Sequence, residues 1–284
     1  MKFNLRNLNT GVVTALLAAV CLFAVNTSAQ NKAEAKNKSR EFCSNNNYAS
    51  DDNISVREVR EMTLPAMGSL SVDGGKNGGI RVIGENRSDV LVRACVQSWA
   101  KPENEAKELA AGIKIETTGT IKAESASGTS NWSVSFEISA PRNTSLSLKA
   151  HNGGISISGV EGNLEFETEN GGLALRDVAG EVKGRTTNGG VTVSLTGNRW
   201  DGSGLDVETT NGGVTLSMAN SYAAHVETGT VNGGFSSDFS ALSVDRTERW
   251  KPARVSADLN GGGPTIRVIT TNGGITIRSA NKQE

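Results

Sequence analysis

One tripeptide constrains this chain more than any other feature. Asn-Gly-Gly recurs eight times, beginning at Asn77, Asn152, Asn170, Asn188, Asn211, Asn232, Asn260 and Asn272. The stretch 164–195, LEFETENGGLALRDVAGEVKGRTTNGGVTVSL, holds two copies of one unit: an alternating strand, the tripeptide, then a second alternating strand. Aligned on the asparagine, position −6 carries Leu146, Leu164, Val182, Leu205, Val226 and Ile266, and position −2 carries Ala150 and then threonines at 168, 186, 209, 230 and 270. Positions +3 and +5 are apolar as well, for example Leu173 with Leu175 and Val191 with Val193. Residues two apart on a strand share a face, so each copy has one apolar face on either side of the tripeptide. The step from −2 to +3 is odd, so the apolar parity switches there. A corner or tight turn must absorb the switch, and Asn and Gly are residues that tolerate positive φ.

Two architectures satisfy that parity. A run of β-hairpins with two-residue turns would pair Thr209 with Val214 and Val207 with Leu216. A β-solenoid would instead stack each Asn-Gly-Gly on the corner of the next coil. Successive asparagines are separated by 75, 18, 18, 23, 21, 28 and 12 residues, and periods near twenty are the signature of solenoids. The fate of the apolar face decides. A meander would leave a wide oily sheet with no amphipathic helices to cover it. A lipid-facing barrel needs longer strands and aromatic girdles, whereas aromatics are 5% of this chain. In a solenoid the face is hidden inside the winding. A single coil cannot offset the entropy of ordering its own backbone, so neighbours must stack. The expected fold is therefore all-β: a single β-solenoid with irregular N-terminal rungs and one short helix near 102–111.

Taken in order, residues 1–29 read as a signal peptide: Lys2 and Arg6, an apolar run from Val12 to Val25, and small residues at Thr27 and Ala29 before a cut. That run is too short for a stable membrane span, and Val20 stands where lipidation of Cys21 would need a small residue. Residues 30–55 are polar and aperiodic, a flexible segment. Residues 56–150 form a divergent cap with irregular first rungs. Strands are expected at 69–72, 79–83, 90–98, 113–116, 120–124, 132–138 and 145–149. Pro102, early acids and Gly112 mark the helix. Residues 151–280 are the regular repeat region, interrupted at 198–204 and 245–254, with a truncated final turn implied by the 12-residue gap. Residues 281–284 are a tail.

Chemistry is sparse. His151 and His225 are the two histidines and fall in different columns, so no metal site is expected, and none of the copies supplies the aspartate of a calcium-binding nonapeptide. No cofactor motif occurs, since the glycine runs lack the lysine and helix of a phosphate loop. Removing Lys2 and Arg6 leaves 27 basic against 30 acidic residues, scattered in a way that excludes a nucleic-acid footprint. Glu165, Glu167, Glu169, Asp206 and Glu208 alternate outward beside Lys183 and Arg185. That is the pattern of a solvated β surface, and also the raw material of a polysaccharide lyase or hydrolase. Trp200 and Trp250, in the two insertions, are candidate ligand contacts, with coverage of apolar coil edges as the alternative. Cys43 and Cys95 are candidates for a disulfide; the alternative is a buried thiol at Cys95 and a free one at Cys43.

The leader, the stretch ISAPRNTSLSLKAHNGGISISG, the T-x-N-G-G repeats and the closing GGGPTIRVITTNGGITI together resemble the bacterial putative-adhesin β-strand-repeat family, over about 60–280. The resemblance implies a domain of unknown function with a solenoid-like fold and surface roles, and it carries no catalytic residues. The expectation is a non-catalytic exported protein of the periplasm, cell surface or medium, acting as an adhesion or envelope-scaffold module. Its partner would be an envelope polymer, a glycan, a protein or a second copy of itself. A carbohydrate-active or glycan-binding β-helix protein is the alternative.

Overall fold

The structure is a computed structural model and describes residues 42–43, 53–244 and 252–280. The chain divides into two compact units, 1–46 and 47–284. Only 42–43 of the first are described, and the second is treated by itself below. The leader, most of the segment 30–55, the tail and Trp250 lie outside the described residues.

Strand is the dominant structure among the described residues of the second unit. Its irregular part comprises β1 (Ile54–Pro65), β2 (Ser69–Asp73), β3 (Ile80–Glu85), β4 (Asp89–Ala100), α1 (Glu103–Gly112), β5 (Ile113–Glu116), β6 (Thr120–Ser125) and β7 (Trp132–Pro141). The repeats supply β8 (Ser145–Ala150), β9 (Ile155–Ser158), β10 (Glu161–Thr168), β11 (Leu173–Arg176), β12 (Ala179–Asn188) and β13 (Val191–Ser194). They continue with β14 (Gly204–Asn211), β15 (Val214–Met218), β16 (Ala224–Asn232), β17 (Phe235–Ser237), β18 (Ala253–Leu259), β19 (Thr265–Asn272) and β20 (Ile275–Ser279). Two ten-stranded sheets result. One runs β1-β4-β7-β3-β9-β11-β13-β15-β20-β17 and the other β18-β16-β19-β14-β12-β10-β8-β2-β6-β5.

Each Asn-Gly-Gly but one carries the chain from the second sheet to the first, so the strands flanking it are not partners. Thr209 pairs with Thr186 and Thr270, and Val214 with Val191 and Ile275, all in parallel. The hairpin alternative is excluded. The inward columns at −6, −2, +3 and +5 are buried, apart from the half-buried Phe235 at the last rung, and the apolar ones join a single continuous cluster between the sheets.

We call a strand pair joined by one corner a rung. Register is set by three contacts, all present at five of the seven laddered corners; those of Asn77 and Asn152 have Gly75 and Ala150 in place of the threonine. First, the asparagines form a ladder: Asn152 Nδ2 donates to Asn77 Oδ1 (3.0 Å), Asn170 to Asn152 (2.9 Å), and Asn188 to Asn170, Asn211 to Asn188, Asn272 to Asn211 and Asn232 to Asn272 (2.8 Å each). Second, the buried threonine at −2 donates to the first glycine carbonyl of the neighbouring rung, as Thr209 does to Gly189 (2.8 Å) and Thr270 to Gly212 (2.8 Å). Third, the first glycines lie backbone against backbone. A Cβ on Gly189 would stand 2.0 Å from the Gly171 oxygen, and one on Gly233 1.8 Å from that of Gly273.

The expectation that these corners need positive φ is therefore corrected. None of the seven laddered corners has it; glycine is required because a neighbouring backbone occupies the place of a side chain. The eighth copy is different. Asn260 has φ 48° and Gly261 φ 95°, and Asn260 Nδ2 donates to the Asn220 and Tyr222 carbonyls (2.8 and 2.9 Å) instead of joining the ladder. It is a turn between β18 and β19, which flank β16 in one sheet. The expected truncated final turn is likewise corrected. β19 and β20 form a full rung inserted between β14/β15 and β16/β17. At the other end, β2/β3 lies between β6/β7 and β8/β9.

The expected strands from 69 to 150 are present with ends shifted by a few residues, and the helix lies one residue later than expected. Two strands were not anticipated. β1 pairs antiparallel with β4, and its half-exposed faces leave no alternation to read. β18 pairs antiparallel with β16, in a stretch expected to be partly irregular insertion. α1 buries Ala106 and Ala110, and Arg60 Nη2 donates to the Ala110 carbonyl at its end (2.7 Å).

A substitution series tests the corner contacts. Gly189→Ala should lower stability by about 2–4 kcal/mol, because backbone must move to admit the methyl. Gly190→Ala, whose Cβ would sit 3.5 Å from the Gly213 oxygen, should cost under about 1 kcal/mol. Thr209→Val should cost about 1–2 kcal/mol by removing the hydroxyl from the half-buried Gly189 carbonyl. Urea unfolding of the three variants measures all of these.

Candidate functional site

The outward face of the second sheet carries the charged residues singled out from sequence, and parallel register arranges them in rows. Ser147 and Lys149 stand on one rung, Glu165 and Glu167 on the next, then Lys183 and Arg185, then Asp206 and Glu208, then Arg267. Acidic and basic rungs thus alternate across neighbouring strands, which lie about 4.8 Å apart. Glu167 accepts from Arg185 (2.8 Å) and meets Lys149 (3.5 Å), while Arg267 pairs with Asp206 and lies 3.7 Å from Glu208. Glu169, at a corner, pairs with His151 (2.6 Å).

Two shallow grooves cross this face. One, of about 510 Å³, runs over Glu165, Lys183 and Asp206, and passes Gly184. There the inward column has lost its side chain to the Phe166 ring, which a Cβ on Gly184 would meet at 2.0 Å. The other, of about 780 Å³, runs along Lys149, Glu167, Arg185 and Glu208 toward the corners. The hydrogen bond from Arg185 holds the Glu167 carboxyl below the ordinary carboxylate range. That is opposite to the raised pKa a glycosidase acid needs. The face is built to pair charges.

Trp200 is not on it. The ring is 3% exposed, and its Nε1 donates to the Gly180 carbonyl (3.0 Å). The insertion 198–204 folds back onto the stack, with Asp201 O accepting from Gly180 N (2.7 Å) and Asn198 O from Ala223 N (2.7 Å). The role expected of Trp200 as a ligand contact is corrected: its indole covers the winding. Tyr222, also buried, has its hydroxyl pKa pushed up to about 12 by that burial.

Sequence reading missed a cluster on β16 and β18. His225 Nδ1 lies 2.7 Å from Asp258 Oδ1, and its Nε2 lies 3.1 Å from Ser256 Oγ and 3.6 Å from Glu227 Oε1. The order serine, histidine, aspartate matches a nucleophilic triad. However, a second carboxylate shares the nitrogen that would have to take the serine proton. Asp258, chiefly by its hydrogen bond, and then Glu227 raise the imidazole pKa, favouring an imidazolium held between acids. Alternation of Arg254, Ser256 and Asp258 in the sequence could have revealed the strand that brings them there. Among the described residues no group of three or more His, Cys, Asp or Glu side chains could hold a metal ion, and no helix is long and apolar enough to cross a membrane.

Because its folded-state pKa is raised, His225 contributes stability that is fully present below its unfolded pKa. That contribution is lost as pH rises through the folded value. A proton NMR titration should place its midpoint above the ordinary 6.5, and Asp258→Asn should return it toward that value.

No match was found among curated proteins. Among solved structures, a putative cell adhesion protein from Clostridium sporogenes shares 14% identity at a TM-score of 0.39, covering 78% of this chain and 100% of that one. A putative adhesin from Bacteroides fragilis shares 14% identity at 0.39, covering 81% and 98%. A putative lipid binding protein from Parabacteroides distasonis shares 11% at 0.29, covering 78% and 96%. The family model described as Toastrack DUF4097 matches residues 26–278, and the chain belongs to that family.

Proposed function

We propose that this chain is a non-catalytic, exported β-solenoid that serves as an adhesion or envelope-scaffold module. The observation that carries the reading is the outward face of the second sheet, where charged rows continue from rung to rung on a rigid parallel scaffold. A polymer with regularly spaced charges could lie across several rungs at once, gaining affinity from many weak contacts. Parallel stepping between two sheets at stacked corners supports the solenoid, with 56–150 as its irregular cap and 151–280 as its repeating part. Membership of the Toastrack DUF4097 family is consistent with it. Cys43 and Cys95 are both in disulfide form, which favours an oxidising compartment and hence the expected leader at 1–29. Cys43 is expected to be the partner of Cys95, and non-reducing peptide mapping would identify the bridge.

The test is binding of the purified chain to immobilised envelope polysaccharides and matrix proteins. The double variant Lys183→Glu/Arg185→Glu should weaken binding by roughly tenfold or more, and salt should weaken it as well. Its melting temperature should stay within a few degrees, since exposed ion pairs contribute about 0–1 kcal/mol. Unchanged binding would remove this face from the account. Shortening of the polysaccharide during the assay would favour a carbohydrate-active enzyme instead.

A further inference from the structure

The asparagine ladder has a direction and an open end. Each side-chain amide donates toward Asn77, and the Nδ2 of Asn77 donates to no oxygen among the described residues. Six aligned amide hydrogen bonds polarise one another, so that terminal N–H is a strengthened donor. It stops there because the next rung, β6/β7, has no Asn-Gly-Gly: residues 126–131 replace it. Where the next asparagine would stand there is a pocket of about 180 Å³, bordered by Lys76, Asn77, Ala123, Thr129, Ser130 and Trp132.

The pocket is pre-formed. Trp132 Nε1 donates to the Thr129 carbonyl (3.1 Å), fixing the ring. Gly75 N donates to Asp73 Oδ1 (2.8 Å), Gly78 N to Gly74 O (3.1 Å) and Asn152 N to Lys76 O (2.9 Å), fixing the opposite wall. The occupant must bring what the ladder lacks, a carboxamide oxygen in line with Asn77 Nδ2. It must also bring a weakly polar face for the indole and hydroxyls for Thr129, Ser130 and Lys76. An acetamido sugar has all three, because its C–H face suits the electron-rich ring and its acetamido group repeats the chemistry of the asparagine side chain. The volume is below that of pockets for drug-sized ligands and suits one such group with its ring. We propose that this pocket binds the terminal N-acetylhexosamine residue of a glycan, with Asn77 donating to the acetamido carbonyl and Trp132 stacking on the sugar. The pocket meets the larger charged groove at Gly75, but no residue varied in either test lines both, so failure here would leave the surface reading standing.

Saturation-transfer NMR on the full chain with N-acetylglucosamine and with glucose tests it. N-acetylglucosamine should bind at about millimolar strength, at least roughly tenfold more tightly than glucose. Asn77→Asp keeps the Oδ1 that accepts from Asn152 and replaces the free donor with an oxygen. It and Trp132→Ala should each weaken binding by roughly tenfold, with unfolding midpoints showing both variants folded. Equal binding of glucose, unaltered binding in the two folded variants, or no transfer up to about 20 mM sugar would overturn the proposal. Tighter binding of an asparagine-containing peptide would overturn it in favour of a protein ligand.

Discussion

The structure depends on how closely one backbone can approach another at the corners. Seven glycines lie so near the neighbouring segment that a methyl group would overlap its backbone. That approach brings side-chain amides into hydrogen-bonding range and lets each buried threonine reach a half-buried glycine carbonyl of the neighbouring rung. The amides themselves are largely at the surface, where each bond contributes about 1 kcal/mol. They act mainly as a gauge of register: a slip by one residue would break the ladder, the threonine bonds and the glycine contacts together, and would turn the apolar columns outward. Neighbouring rungs are therefore locked to one another more firmly than apolar packing alone would lock them.

Order along the stack departs from order along the chain. β2/β3, the first rung made, and β19/β20, the last, both lie inside the stack and not at its ends. At one end β6/β7 is flanked by the antiparallel strands β4 and β5, and at the other β16 by β18. These strands cover edges that a simple stack would leave open to other chains. The arrangement also ties β16/β17 to the rest of the molecule through a segment made after it, so that region can complete its sheets only once β19 and β20 are present. Contacts so distant in sequence slow folding and give the assembled stack cooperativity across its length.

Much of this was legible in the sequence, for physical reasons that can be named. The columns at −6, −2, +3 and +5 mark inward faces because burial selects apolar residues at period two. Leu164, Val182 and Leu205 needed no structure to be placed side by side. Asn260 shares only the tripeptide with its seven counterparts: Arg254 at −6, Asp258 at −2 and Gly263 at +3 fall outside the inward columns, and that mismatch was the signal that no backbone lies against it. The insertion of β19/β20 was hidden because equal repeats can stack in any order. Trp200 stayed between two roles because an aromatic residue in an insertion suits exposure and coverage equally, and only Gly180 on the neighbouring rung decides. The Ser256–His225–Asp258 cluster needed the antiparallel pairing of β18, on which the repeat pattern is silent.

Parallel stacking in the order described is the claim on which everything else rests, and disulfide trapping tests it most directly. Thr215 and Thr276 face outward on adjacent strands in register, about 4.8 Å apart and within reach of a bridge. Thr215 and Ser236 lie two strands apart, with Thr276 between them, at about 9.6 Å. The variant Thr215→Cys/Thr276→Cys should form an intramolecular disulfide under mild oxidation, and Thr215→Cys/Ser236→Cys should not. The reverse outcome would mean that the rungs follow chain order, and failure of both would mean that the corners do not stack in parallel.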